Sequence, residues 1–257
     1  MNKTVMVKAE NVSLYYKNNI NKKEVLKNIS FEVSQNESLC IIGPNGCGKS
    51  TLLKSLCRII DFEGNIFINN KDIRKIDTYK AIAIMSQMSS IYFGYTSYDT
   101  IMMGRYANYK DKLLSMPSKE DKDFVIHYME KLKLMHLKDK LITELSGGEL
   151  QRVFLARTLV QNPSIILMDE PTNHLDLNSQ IELIYNLKEW VKNGDRCIIA
   201  VLHDINAALN FADKLLVLKE GGSKYFGSTN NFDVSLLNYI YDIDVFEYMH
   251  NSFLRWS

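Results

Sequence analysis

The sequence predicts an α/β fold: a parallel sheet covered by helices and interrupted by a helical insertion. Three observations point to it. In the second half of the chain, short apolar segments alternate with amphipathic ones, the order that makes βαβ units. Strand signals stop between about residues 89 and 160. A glycine-rich segment follows an apolar strand and precedes a helix, the setting of a phosphate-binding loop.

Element by element, Val5–Lys8, Ile29–Val33 and Ser38–Ile42 are short, rich in apolar and β-branched residues, and bounded by polar residues or glycine, so they are expected as strands. Lys49–Ile60 carries Leu52, Leu53, Leu56, Ile59 and Ile60 at helical spacing. Asn65–Ile68 and Ala81–Met85 are further strands. In the insertion, Ser118 with Glu120 and Asp121 marks a helix start, and Phe124, Val125, Tyr128, Met129 and Leu132 form one face. Then come a strand at Ser164–Met168, a helix at Leu177–Val191 with Leu183, Ile184, Leu187 and Val191 inward, and a strand at Cys197–Leu202. A helix at Asp204–Phe211, a strand at Lys214–Leu218 and a short outer helix at Ser235–Tyr241 complete the chain.

Composition narrows the function. The 257 residues carry a formal net charge of +1, so strong attraction to nucleic acid or anionic lipid is not implied. Aliphatic runs such as Ile198–Leu202 fall far short of the ~18 residues that a membrane span needs. Met1-Asn2-Lys3-Thr4 leads into mixed residues rather than the apolar block of a secretory signal. A soluble chain, or one peripheral through a partner, is expected. Cys40, Cys47, Cys57 and Cys197 form no CxxC pair, which reads as reduced thiols rather than a zinc site. Glycine is scarce at 12 residues, and five of them fall in two short segments.

The first segment is Gly43-Pro44-Asn45-Gly46-Cys47-Gly48-Lys49-Ser50, followed by Thr51. It fits G-x-x-x-x-G-K-[ST]. Glycines let successive N–H groups turn into one concavity, and the following helix aims its positive end at phosphates. Lys49 is expected to reach the β- and γ-phosphates, and the Ser50 hydroxyl to ligate Mg²⁺. Cys47 lies near the helix start and Lys49, which would favour a thiolate; the alternative is that any small residue fits at this position.

Ile165-Ile166-Leu167-Met168-Asp169-Glu170 is a buried strand ending in two carboxylates. Asp169 is expected to hold Mg²⁺ and Glu170 to orient the attacking water as general base. His203 follows the next strand at the same edge, a position suited to the γ-phosphate. Gln87, just beyond Ala81–Met85, has an amide that can bind Mg²⁺ or the water.

The second glycine segment is Leu145-Ser146-Gly147-Gly148-Glu149-Leu150-Gln151. Ser146 is a natural N-cap, and Glu149 stands at capping-box spacing. Two glycines at a helix start again offer N–H groups to an anion.

With these residues in place, the chain resembles the ATP-binding-cassette (ABC) ATPases over nearly its whole length. Gly43–Ser50 matches Walker A, Leu145–Gln151 the signature loop and Ile165–Glu170 Walker B. Gln87 matches the Q-loop, Asn173-His174-Leu175-Asp176 the D-loop and His203 the switch histidine. Tyr16 matches the aromatic that stacks on adenine, with adjacent Tyr15 as the alternative. The resemblance implies a P-loop NTPase ABC cassette: a mixed sheet core with parallel strands, an antiparallel β part and a helical subdomain. One ABC domain over 1–257 is expected, with a nucleotide-binding core at 1–88 and 161–230, a helical subdomain at 89–160 and a C-terminal tail at 231–257.

The same resemblance implies ATP and Mg²⁺ as ligands and a head-to-tail homodimer. Each ATP would lie between residues 43–51 of one copy and Ser146, Gly147 and Gly148 of the other, with Asp176 beside it. Thr100-Ile101-Met102-Met103-Gly104-Arg105-Tyr106 resembles the subgroup of iron–siderophore, haem and cobalamin importer ATPases, as does the tail Leu236–Val245. The implied role is ATP hydrolysis that powers uptake of a ferric siderophore or related metal chelate. It would act at the cytoplasmic membrane face, through a separate integral permease and, indirectly, an extracytoplasmic solute-binding protein. Haem, cobalamin, molybdate or zinc/manganese uptake, export and a soluble non-transport ABC protein are the alternatives. Nucleic acid is not an expected partner. The aromatic and Met-rich stretch from Tyr92, through Tyr98 to Met102, reads either as simple helical core or as a groove for a permease coupling helix.

Overall fold

The computed structural model describes residues 4–17, 22–86, 94–109, 116–172, 175–245 and 247–248. Gln87, Tyr92, Phe93, Asn173 and His174 lie outside the described residues. In chain order the elements begin with β1 (Val5–Lys17), β2 (Lys22–Ser34), β3 (Glu37–Ile42), α1 (Lys49–Leu56), β4 (Glu63–Ile68) and β5 (Lys71–Asp72). Next are α2 (Thr78–Ala81), β6 (Ile82–Ser86), α3 (Ser97–Met102), α4 (Tyr106–Tyr109), α5 (Lys119–Lys131) and α6 (Gly147–Val160). The remainder are β7 (Ile165–Asp169), α7 (Leu177–Lys192), β8 (Cys197–Val201), α8 (Ile205–Phe211), β9 (Lys214–Lys219), β10 (Gly222–Ser228) and α9 (Leu236–Tyr241). They fall into two compact units, one of Met1–Ile76 with Ile199–Ser257 and one of Asp77–Ile198.

In the first unit the strand order is β5-β4-β1-β2-β10-β9-β3. β1 pairs antiparallel with both β2 and β4. β3 runs parallel to β9, from Leu39 opposite Lys214 to Ile42 opposite Val217. The sheet is thus mixed, as the family resemblance implied. The start of the β3–β9 pair is pinned by Asp213, whose carboxylate accepts from Ser38 N–H at 2.8 Å and Ser38 Oγ at 2.7 Å. Leu39, Ile41 and Ile42 are fully buried, and burial of such side chains is worth roughly 1.5–3 kcal/mol each.

Two local expectations need correcting. α1 stops at Leu56 rather than Ile60: Cys57 caps it and Arg58 turns to φ +57. Ile59 is consequently 63% exposed rather than inward. β1 and β2 extend well beyond the predicted Val5–Lys8 and Ile29–Val33, because each continues along its partner in an antiparallel pair.

In the second unit β6 and β7 run parallel, from Ile82 opposite Ile165 to Ser86 opposite Asp169. β7 is buried from Ile165 through Met168. α5 begins where the sequence placed it: Ser118 and Asp121 form a capping box, and Val125, Tyr128, Met129 and Leu132 are buried. In α7, Leu183, Leu187 and Val191 are buried while Ile184 is only partly so.

Candidate functional site

The phosphate loop joins β3 to α1 in the first unit, and its glycines answer different demands. At Gly43 (φ +147) a methyl in place of hydrogen would stand 2.1 Å from the Leu218 carbonyl oxygen. At Gly48 (φ +108) it would stand 2.6 Å from Leu26 Cδ2. Gly46 meets nothing within 4 Å, and only its φ of +77 requires glycine. Gly48 is also the N-cap of α1, and no side chain caps that helix. A helix start of this kind directs its first N–H groups and its positive end toward the loop, the setting that favours an anion.

Lys49 is 5% exposed. Its ammonium donates to the Gly43 carbonyl at 2.7 Å and the Pro44 carbonyl at 3.0 Å. Among the described residues it has no carboxylate partner. A buried cation satisfied only by loop carbonyls is poised to move to an incoming anion. Asn45 and Gly46 are exposed at the loop tip, and Ser50 and Thr51 are partly exposed on the first turn.

Cys47 corrects the thiolate expectation. Burial pushes its thiol above the ordinary range and outweighs the opposing charge of Lys49. It packs inside the loop, with Sγ 3.0 Å from the methyl position at Gly43.

The β1–β2 hairpin brings an aromatic toward this loop. Val25 and Leu26 of β2 touch Gly48, and Tyr16 pairs with Lys23 two residues from Val25. Tyr16 is 45% exposed, whereas Tyr15 is hydrogen-bonded to Glu24, which holds its phenol up. At the end of β8, the Leu202 backbone meets the Cys40 thiol of β3. His203 follows, exposed, beside the strand that feeds the loop.

In the second unit β7 delivers Asp169 and Glu170 to a strand end. Glu170 adopts φ +54, a left-handed conformation that is uncommon for a non-glycine residue. Ser86 lies opposite Asp169; Gln87, the next residue, is outside the described residues.

Ser146 caps α6. Its Oγ accepts from Glu149 N–H at 3.3 Å, and Glu149 Oε2 accepts from Ser146 N–H at 2.9 Å. The Ser146 backbone N–H holds the Glu149 carboxyl below its usual range. Ser146 and Gly147 are exposed. A methyl at Gly148 would stand 2.4 Å from Ser179 Oγ. Ser179 Oγ donates to Asp176 Oδ2 at 3.0 Å, and Ser179 N–H donates to Oδ1 at 2.8 Å. Asp176 thus caps α7, and the Ser179 backbone holds its carboxyl low. The unit therefore brings Gly148 and Asp176 together through Ser179, which the sequence reading missed. The Asp-x-x-Ser spacing at a helix start could have shown it. The contact made by Gln151 was also missed: its Nε2 donates to the Pro171 carbonyl at 2.6 Å, tying the signature helix to the turn after Glu170.

A groove of about 290 Å³ opens in the same unit between Tyr79, Ile84, Met103, Tyr106 and Arg157. Gly104 lies on its wall, packed so closely that a methyl there would stand 2.2 Å from the Arg157 carbonyl oxygen. Arg105 secures the turn, with Nε 3.0 Å from Asp121 Oδ1 and Nη1 2.8 Å from the Val160 carbonyl. For Met102 and Tyr98 the structure favours the helical-core alternative. Met102 is 7% exposed and faces the core, whereas Met103, one helical step on, is 38% exposed. Tyr98 sits under Lys138 Nζ at 5.3 Å and does not line the groove.

The comparisons with known proteins agree with this geometry. The ABC transporter family model matches residues 26–173. A Bacillus subtilis (strain 168) protein, named as the ATP-binding protein of a siderophore transport system, is 36% identical over 218 residues. That match covers 83% of this chain and 77% of the relative. A transporter assigned to the metal-chelate type, solved in an inward-facing conformation, superposes with a TM-score of 0.80 at 28% identity. It covers 93% of this chain and 89% of its own. A dimeric ATP-binding cassette holding ADP and phosphate after hydrolysis gives 0.77 at 28% identity, over 88% and 100%. The chain belongs to the ABC transporter family. Within that family it is the ATPase cassette, a nucleotide-using α/β enzyme with a mixed sheet.

Proposed function

We propose that this chain is the ATP-hydrolysing subunit of an importer for a ferric siderophore or related metal chelate. The observation that carries the nucleotide reading is Lys49, buried at the start of α1 and held, among the described residues, by the Gly43 and Pro44 carbonyls of the loop. Residues 43–51 bind the phosphates through backbone N–H groups and Lys49, and Tyr16 stacks on the base. Glu170 orients and deprotonates the attacking water. His203 and Gln87 contact the γ-phosphate side of the site. Magnesium, when bound with the nucleotide, neutralises charge on the β- and γ-phosphate oxygens. The hard oxygen donors of Ser50, Asp169 and Gln87 suit that ion and would hold it.

Ser146, Gly147 and Gly148 form a second phosphate-facing set on an exposed helix start, with Asp176 fixed beside it. Two copies arranged head to tail complete both sets, and each nucleotide is sandwiched. The dimeric cassette with ADP and phosphate supports this arrangement. The import reading rests on the siderophore-transport relative, the metal-chelate-type structure and the Gly104-Arg105 turn.

No helix among the described residues is long and apolar enough to cross a membrane. In this reading the transport path is an integral permease, which docks in the groove and keeps the chain at the cytoplasmic face. An extracytoplasmic solute-binding protein acts only through that permease, and nucleic acid has no part. Residues 89–160, helical in their described elements apart from the Thr96–Leu141 bridge, form the subdomain that transmits movement. The core at 1–88 and 161–230 and the tail at 231–257 complete the domain.

The test is transport by the full complex in vesicles. Met103→Glu places a charge in the groove and is expected to abolish uptake while leaving nucleotide affinity unchanged. Normal uptake by Met103→Glu contradicts the docking site.

A further inference from the structure

The acidic pair ends in an unusual backbone setting. Glu170 stands at φ +54, and a left-handed conformation at a residue with a side chain persists only where the surroundings impose it. Pro171 follows directly. Its ring removes a backbone N–H, so the turn has fewer donors of its own. Pro171 and Thr172 are buried, and buried carbonyls need donors. Two glutamine side chains supply them. Gln151 Nε2 of α6 donates to the Pro171 carbonyl at 2.6 Å. Gln180 Nε2 of α7 donates to the Leu175 carbonyl at 3.0 Å and to the Thr172 carbonyl at 3.4 Å, and the Leu175 N–H also donates to Thr172 at 3.3 Å. Of the two glutamines, Gln151 reaches the residue next to Glu170.

The helix that carries Gln151 is itself fixed. Gly148, Gln151 and Arg152 stand at i, i+3 and i+4 and so share one face of α6. Gly148 lies against Ser179, and Arg152 Nη1 pairs with Glu182 Oε2 at 3.3 Å, which seats that face along α7. Ser146 and Glu149 cap the start of the helix. A docked and capped helix thus carries the donor, and a buried turn carries the acceptor. The acceptor is a carbonyl, so only the amide nitrogen of Gln151 can serve it.

We propose that Gln151 is a positioning residue for ATP hydrolysis: through the Pro171 carbonyl it fixes the turn that holds Glu170 in its left-handed conformation. The proposal rests on the reading of Glu170 as the general base. Gln151→Met keeps the length of the side chain and removes the amide donor. It is expected to lower kcat by about 3- to 10-fold, the effect of one lost hydrogen bond. The KM for ATP and the calorimetric Kd for Mg-ADP should stay within about twofold, because the bond touches none of residues 43–51. Val125→Ala opens a cavity at the buried face of α5 and serves as the control: it lowers Tm and leaves kcat unchanged well below melting. The decisive comparison places Gln151→Met in a Glu170→Asp chain, whose carboxylate is already withdrawn by one methylene. There the fall in kcat should shrink to less than about twofold, because both changes displace the same group. A full-sized fall in both backgrounds, wild-type kcat in Gln151→Met, or an equal loss in Val125→Ala overturns the positioning role. Wild-type turnover in Glu170→Gln overturns the general-base reading, and the positioning role with it.

Discussion

The contact between Gly148 and Ser179 can be tested with a double-mutant cycle whose outcome follows from the distances. In Gly148→Ala the new methyl stands 2.4 Å from Ser179 Oγ, about 1 Å inside ordinary contact. Ser179 must rotate its hydroxyl away and so forfeits the 3.0 Å bond to Asp176 Oδ2. Ser179→Ala forfeits the same bond without a clash. In the double mutant the bond is lost once, and the nearest atom left is Ser179 Cβ at 3.4 Å. Its destabilisation should therefore fall short of the sum of the single changes by the coupling typical of residues in contact, about 0.5–3 kcal/mol. Equilibrium denaturation of the four chains measures this. ATP turnover should behave differently, because the methyl intrudes on a phosphate-facing helix start in both Gly148→Ala backgrounds and turnover stays low in both. Additivity within about 0.3–0.5 kcal/mol would refute the contact as the reason for glycine at this position.

The loop glycines are predicted to rank by what surrounds them. Gly43→Ala combines a 2.1 Å approach to the Leu218 carbonyl with φ +147 and should abolish nucleotide binding. Gly46→Ala carries conformational strain alone, about 1–3 kcal/mol, and should fold with reduced affinity; equal effects would show that crowding at Gly43 is irrelevant. The caps of α6 and α7 predict a pH dependence. Glu149 and Asp176 have carboxyls held low by backbone N–H groups. Their stabilisation is thus present above the ordinary carboxylate pKa near ~4 and is lost as pH falls through the lower folded values. Melting of wild type and Asp176→Asn between pH 7 and 3 should converge at low pH, and parallel curves would argue against this cap.

Much of the site was legible because its chemistry fixes backbone and side chain together. The loop at 43–51 needs glycine where φ is positive, and the strand into Asp169 is apolar because it is buried. The caps at Ser118 and Ser146 follow from short-range hydrogen bonding. What escaped depends on tertiary neighbours. β10 is only partly buried and pairs without an apolar alternation to mark it. Met102 and Met103 differ by one step, about 100° around a helix, and only packing against α6 decides which faces out. Ser179 and Gln151 act through contacts with residues distant from their own positions in the motif. The Cys47 thiolate was expected from charge alone, and burial reversed it.

The most direct test of the ATP-sandwich account is sedimentation of Glu170→Gln with Mg-ATP. With its general base replaced, this chain should bind ATP without hydrolysing it and sediment as a dimer, while the nucleotide-free chain remains monomeric. Adding Ser146→Arg should restore the monomer without preventing ATP binding. A Glu170→Gln chain that turns ATP over normally, or that holds ATP as a monomer, would contradict the account.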